Sequence, residues 1–178
     1  MAGPGTARPV PGIGRAVVLL AALCAGGAAI AQTGDAARGA KRAQPCGNCH
    51  GAPGRPPLAG TPALGGQQPE FLVLQMFLFR EGLRDVPQMA GLFKGLSDRD
   101  LTDMAAHFSR QPHPKAAGRR DPALHARGAA LSKSMGCGSC HLQDYSGQRQ
   151  IPRLANQRED YLAASLRAYR DDQRTGSD

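Results

Sequence analysis

Tryptophan is absent from the 178 residues, and all aromatics together make up only 4%. Large flat side chains therefore cannot fill a core here. Domains of roughly 75 residues with so few of them are marginal unless a staple or cofactor adds apolar volume. Cysteine is scarce too: there are five, and four of them stand in two copies of one short pattern, leaving only Cys24. No structural disulfide framework can be built from what remains. No stretch alternates apolar and polar residues as a half-buried strand does, so the expected fold is all-α. No apolar run reaches the roughly 20 residues of a membrane-spanning helix. The longest candidate, Ala16 to Ile30, falls short and contains two glycines.

That run has another reading. Arg8 and Arg15 precede or open it without any acid, and Ala29-Ile30-Ala31 supplies a small-x-small cleavage pattern. Residues 1–31 are therefore expected to be a secretory signal peptide cut after Ala31, leaving Gln32 first. The bulky Leu23 directly before Cys24 argues against a lipid-attachment site. An exported chain enters an oxidising compartment, where stray thiols are a liability. The expected location is a Gram-negative periplasm.

The four remaining cysteines form Cys46-Gly47-Asn48-Cys49-His50 and Cys137-Gly138-Ser139-Cys140-His141. Cys-x-x-Cys-His is the attachment pattern of c-type haem. Two thiols three positions apart can each add to one vinyl group on a haem edge. The next residue then places an imidazole beneath the ring as proximal iron ligand. Zinc is the alternative, but each site alone offers two thiolates and one His, and the two lie roughly 90 residues apart, whereas closed zinc sites are tighter. The expected cofactors are two covalent haem c groups, on Cys46 and Cys49 and on Cys137 and Cys140, with His50 and His141 on the irons.

The chain repeats itself. Pro62-Ala63-Leu64-Gly65-Gly66-Gln67-Gln68-Pro69-Glu70-Phe71-Leu72 answers to Pro152-Arg153-Leu154-Ala155-Asn156-Gln157-Arg158-Glu159-Asp160-Tyr161-Leu162, and Arg80 and Arg84 recur as Arg170 and Arg174. The haem motifs recur at nearly the same spacing, roughly 90 residues, so one domain is expected twice. The expected division is 32–112 for the first domain, 113–120 for a Pro- and Gly-containing linker, and 121–178 for the second. Asp35 opens a short helix before the first motif, and Asp121-Pro122 opens its counterpart. Pro69 opens a helix to about Glu81 whose run Phe71–Phe79 is apolar nearly all round. Ser97 and Asp100 form an approximate capping box for a further helix with the buried stripe Leu101, Met104, Ala105 and Phe108.

An electron-carrying haem needs a ligand opposite His50. Met89 is the candidate: it follows Pro87 and precedes Gly91, in a loop between two expected helices. A loop can wrap the open haem face and deliver a thioether, which raises the potential relative to a second His. Met76 and Met104 lie on helix stripes, where Met fills core space. His107, His113 and His125 are expected in surface or capping roles. Arg55, Arg80, Arg84 and Lys94 are expected either at haem propionates or on a solvated face.

These elements together resemble a known family. Cys46-Gly47-Asn48-Cys49-His50-Gly51, then Pro62 to Gln67, then Met89-Ala90-Gly91-Leu92, then Leu96 to Leu101 occur in the order of a class I cytochrome c. The tandem resembles the diheme cytochrome c4 family. The resemblance implies a periplasmic electron carrier, soluble or membrane-associated, with two haems facing each other across the domain interface, Met89 as an axial ligand, and electrons passing toward a membrane-bound terminal oxidase. In the second half the pattern departs: the counterpart of Met89 falls one residue beyond Asp178. The second domain is therefore expected to be incomplete, with its family Met and final helix missing from this sequence: either the sequence is a fragment, or the second haem lacks its family ligand.

The formal charge of +8 fits docking on acidic surfaces of redox partners, or peripheral association with an anionic membrane, as well as plain solubility. Nucleic acid is a poor fit to an exported haem protein. The second functional reading is a peroxidase-like diheme enzyme with an open second iron. Peroxide cleavage also needs distal acid–base groups, and the second half offers no coherent set.

Overall fold

The structure is a computed structural model that describes residues 1, 3, 34–51, 56–115 and 121–174. The expected signal peptide (apart from residues 1 and 3), Arg55, part of the linker and residues 175–178 lie outside the described residues. All elements belong to the unit Gln32–Asp178. Among the described residues there are helices and turns but no strand, only one isolated bridge between Gln148 and Ile151. The all-α expectation agrees with this.

Helix α1 (Ala36–Arg42) starts where the Asp35 carboxylate accepts from the N–H groups of Ala37 and Arg38, two donors the helix itself cannot satisfy. A 3₁₀ turn, Gln44–Cys46, carries the chain into α2 (Gly47–His50). Helix α3 (Pro69–Arg80) begins with Pro at its first position and ends before Gly82, whose φ of 68° suits glycine. Helix α4 (Asp98–Arg110) opens with a full capping box between Ser97 and Asp100.

These helices meet because their apolar faces do. Leu101, Met104, Ala105 and Phe108 of α4 are buried against Ala43, Leu72, Met76 and Phe93. Phe79 stacks on Phe93 with ring centroids 5.7 Å apart. In the run Phe71–Phe79, Leu72, Met76 and Leu78 are buried, but Phe77 faces out beneath the Arg80 guanidinium, 5.3 Å from its ring centre. Gly39 is what lets α1 cross α4: a Cβ there would collide with the backbone carbonyl of Asp103.

The second half repeats the elements without repeating the core. Helix α5 (Pro122–Ser134) is capped by Asp121, α6 spans Cys137–His141, and α7 spans Glu159–Arg170. None of the three contains a buried residue, and Leu124, Leu131 and Leu166 are exposed. Arg127-Gly128 of α5 matches Arg38-Gly39 of α1, yet no described residue comes near a Cβ built on Gly128. Among the described residues no helix lies across α5 as α4 lies across α1.

A reciprocal set of hydrogen bonds joins the halves. The Gln67 side chain accepts from Arg153 N–H at 2.7 Å and donates to Arg153 O at 3.1 Å. The Gln157 side chain accepts from Ala63 N–H at 2.8 Å and donates to Ala63 O at 2.9 Å. Each glutamine thus pairs, like a strand of one residue, with the backbone of the opposite repeat. The neighbours follow suit: Gln68 Nε2 donates to Ser146 O and Gly147 O, and Arg158 Nη1 donates to Pro56 O. The turn before each glutamine needs a left-handed residue, supplied by Gly66 (φ 64°) and Asn156 (φ 61°), two residue types that tolerate it.

Candidate functional site

Helix α2 places Cys49 and His50 one turn beyond Cys46. Cys46 is half-buried at the end of the 3₁₀ turn, and Cys49 is exposed. His50 is buried, at 8% exposure. Its Nδ1 lies 2.8 Å from Pro62 O. A carbonyl can only accept, so Nδ1 carries the proton and the Nε2 lone pair is left facing away. Burial holds the His50 pKa below its ordinary value, against the carbonyl's opposing pull, and so favours the neutral ring. Burial likewise raises the Cys46 thiol.

The second motif is built the same way on α6, which starts after Gly136 in a left-handed conformation (φ 69°). His141 Nδ1 lies 2.9 Å from Pro152 O. Pro62 and Pro152 open the two copies of the repeated element, so each copy pins the histidine of its own half. One difference follows the motif. Gly51 has φ 79°, and its counterpart Leu142 has φ 67° with ψ 161°, a region in which any residue but glycine is strained.

Met89 closes the 3₁₀ turn Pro87–Met89, between α3 and α4. It is half-buried and packs against the same core that Cys46 borders from the other side of the sequence. Gly91 (φ 76°) and Gly95 (φ 77°) let this segment double back. Met76 and Met104 are core residues, and Met135 is exposed at the end of α5. His107 shares a hydrogen bond with Gln111 and sits edge-on to Phe108, while His113 and His125 are exposed.

Two of the arginines expected either at propionates or on a solvated face, Arg80 and Arg84, make contacts within the fold, and so do their counterparts in the second half. Arg80 pairs with Glu81 at 2.7 Å and Asp98 at 2.8 Å, and its counterpart Arg170 pairs with Asp171. Arg84 lies over the Phe79 ring and Arg174 over Tyr169, each 4.7 Å from the ring centre. Lys94 is exposed.

The donor set fits haem c. All four motif cysteines are free of disulfides, and among the described residues neither histidine has a hydrogen-bond partner on its second ring nitrogen. Among the described residues no three His, Cys, Asp or Glu side chains gather as a metal cluster, so the zinc alternative has no ligand set there. Sequence reasoning matched Gln67 with Gln157 and Pro62 with Pro152 but gave them no role. The repeat itself was the signal, since side chains kept at equal positions in both halves serve contacts that both halves make.

The cytochrome c family model matches residues 125–178. A cytochrome c4 of Pseudomonas aeruginosa is 39% identical over 80% of this chain and 74% of its own length. A crystal structure of reduced recombinant cytochrome c4 from Pseudomonas stutzeri superposes with a TM-score of 0.71, at 35% identity over 80% of this chain and 83% of that one. A further relative, a thiosulfate dehydrogenase electron acceptor of Thiomonas intermedia, is 33% identical over 74% of this chain and 65% of its own. Helical repeats, each carrying a thiol pair and a pinned imidazole, define a tandem class I c-type cytochrome. The chain belongs to the cytochrome c4 family. It is a diheme electron carrier with two covalently bound haem c groups, and not an enzyme.

Proposed function

We propose that Cys46 and Cys49 attach the first haem and Cys137 and Cys140 the second, that His50 and His141 bind the two irons, and that Met89 is the second axial ligand of the first. The observation that carries this reading is the twofold use of one device, a motif histidine whose Nδ1 is tied to the carbonyl of the proline opening the repeated element. Bound haem supplies a one-electron iron couple whose potential its ligands and surroundings set. The chain does the rest. Pro62 and Pro152 fix ring tautomer and orientation. The core around Leu72, Met76 and Phe93 keeps water from one face of the first site. Met89 offers a neutral thioether that favours the reduced state.

In this reading residues 1–31 direct export to the periplasm and are removed after Ala31, residues 32–112 and 121–178 form the two haem domains, and 113–120 link them. The protein passes electrons between respiratory partners, toward a membrane-bound terminal oxidase. Removal of residues 1–31 takes away Arg8 and Arg15 and no acid, and the remaining 20 basic and 14 acidic residues, a formal +6, support docking on acidic partner faces or an anionic membrane surface. The Thiomonas relative's name supports a redox enzyme as one source of electrons. The test is mass spectrometry of the protein exported with a haem-maturation system. A chain beginning at Gln32 and carrying two haem additions is expected; a chain holding zinc and no haem would refute the reading.

A further inference from the structure

Among the described residues one buried side-chain nitrogen has no hydrogen-bond partner, Nε of Arg84. Its surroundings make this costly. The guanidinium is spread over Phe79, Nη1 is bound by the Gln75 side chain, and Nη2 reaches the Tyr161 hydroxyl of the other half at 3.5 Å. All of these partners are neutral. Two other well-covered arginines are matched by carboxylates: Arg80 by Glu81 and Asp98, Arg158 by Asp160. Among the described residues Arg84 has none, and Arg174 adds a second cation close enough to push the Arg84 pKa down, in the same direction as burial itself. A covered cation without an anion has lost water and gained nothing charged in return, which is unfavourable. A fold that keeps one has an anion to place there.

We propose that Arg84 binds a propionate carboxylate of the first haem, donating from Nε, so that the guanidinium both anchors the haem and sets its potential. This rests on the haem attachment proposed above. The first haem is the choice because Phe79, on which Arg84 lies, packs against the core that Cys46 and Met89 also border. A carboxylate is the right chemical class: the guanidinium edge is a planar donor set that matches its two oxygens. Tyr161 brings a hydroxyl from the second half to the same place, and Arg174 and Arg84 together hold its pKa below the ordinary value even though burial opposes ionisation. The spot is therefore positive from both halves.

The experiment uses the haem-loaded full chain, with haem labelled by carbon-13 at the propionate carboxylates, and reads redox-difference infrared spectra and the potential of each haem. Covalent haem content, measured first, separates a failure of haem attachment from a failure of this proposal. In Arg84→Gln the positive charge is lost beside an anion, which favours the oxidised iron. The reduction equilibrium of the first haem is expected to fall by roughly tenfold, the scale of one charge-assisted hydrogen bond lost, and the labelled carboxylate band is expected to shift. Arg84→Lys keeps the charge but not the planar fork; it should retain most of the potential and still move the band. The Lys variant also serves if the Gln variant fails to fold. Labelled bands that are the same in wild type and Arg84→Lys, or a potential change confined to the second haem, would overturn the proposal.

Discussion

His50 shows how little of a haem site a motif contains. Cys-x-x-Cys-His names the ligand, but the ring works only if one nitrogen is protonated and held. That is done by Pro62 O, twelve residues away, at 2.8 Å. The sequence displayed Pro62 as part of a repeat without saying what its carbonyl meets, because backbone acceptors leave no mark on residue identity. Met89 could be proposed from the sequence for the opposite reason: a side chain of the right chemistry, between Pro87 and Gly91 and away from any helix stripe, has few packing uses. Replacing Met89 by Ala should abolish the thioether–iron charge-transfer band and lower the potential of the first haem, since the ligand proposed to favour reduced iron would be gone. Visible spectra and a redox titration check this; an unchanged band would assign the ligand elsewhere. Arg84 was invisible as a problem from sequence alone, because whether a cation is buried and unmatched depends on what folds around it.

At the scale of elements, the crossing of α1 on α4 decides the first half. The apolar stripe of α4 and the caps of α1 and α4 were readable from periodicity and from Asp35, Ser97 and Asp100. Asp103 was not: it lies among the stripe residues and is buried at 4% exposure, where a carboxylate is out of place by pattern. It is kept there by α1. Its oxygens accept from Asp35 N–H at 2.6 Å and from Arg38 Nε at 2.8 Å and Nη2 at 3.2 Å. The Arg38 hydrogen bonds hold the Asp103 pKa below the usual carboxylate value. A carboxylate whose folded pKa is depressed adds stability above its unfolded pKa, and that stability is lost as pH falls through the folded value. Asp103→Asn should therefore cost about 1–3 kcal/mol at pH 7, less than a fully buried pair would because Arg38 is half-exposed. The gap between variant and wild type should narrow as pH drops below about 4. Denaturant midpoints at pH 7 and pH 3 read it out, and a gap of equal size at both would mean that shape rather than charge holds Asp103. The α5 helix carries the same Arg-Gly pair with nothing among the described residues laid across it, so the element alone does not make the crossing.

For the molecule as a whole, the join between the repeats matters most, because an electron that enters through one haem must be able to reach the other. The repeat in sequence announced two similar halves. It could not announce that they would face each other by exchanging the same residues, since a side chain bound to its own backbone and one bound to the other half's backbone look alike in one dimension. Gln67 and Gln157 make that exchange with four hydrogen bonds to Ala63 and Arg153. Gln67 is buried at 6% exposure, so its removal strands backbone groups that water reaches poorly, a penalty of about 1–3 kcal/mol for each group left unsatisfied. The double variant Gln67→Ala, Gln157→Ala removes both clasps while leaving each haem motif and each pinning proline untouched. The haems should keep their individual spectra. The halves should loosen, visible as thermal unfolding that separates into two transitions, and electron equilibration between haems, followed after rapid reduction of one of them, should slow. The single variants should each do less, because one clasp still sets the register of the other. A double variant that unfolds in one transition and equilibrates as fast as wild type would show that other contacts between the halves, among them Gln68 with Ser146 and Gly147, Arg158 with Pro56, Gly60 with Asp160 and Arg84 with Tyr161, suffice to hold the two halves together.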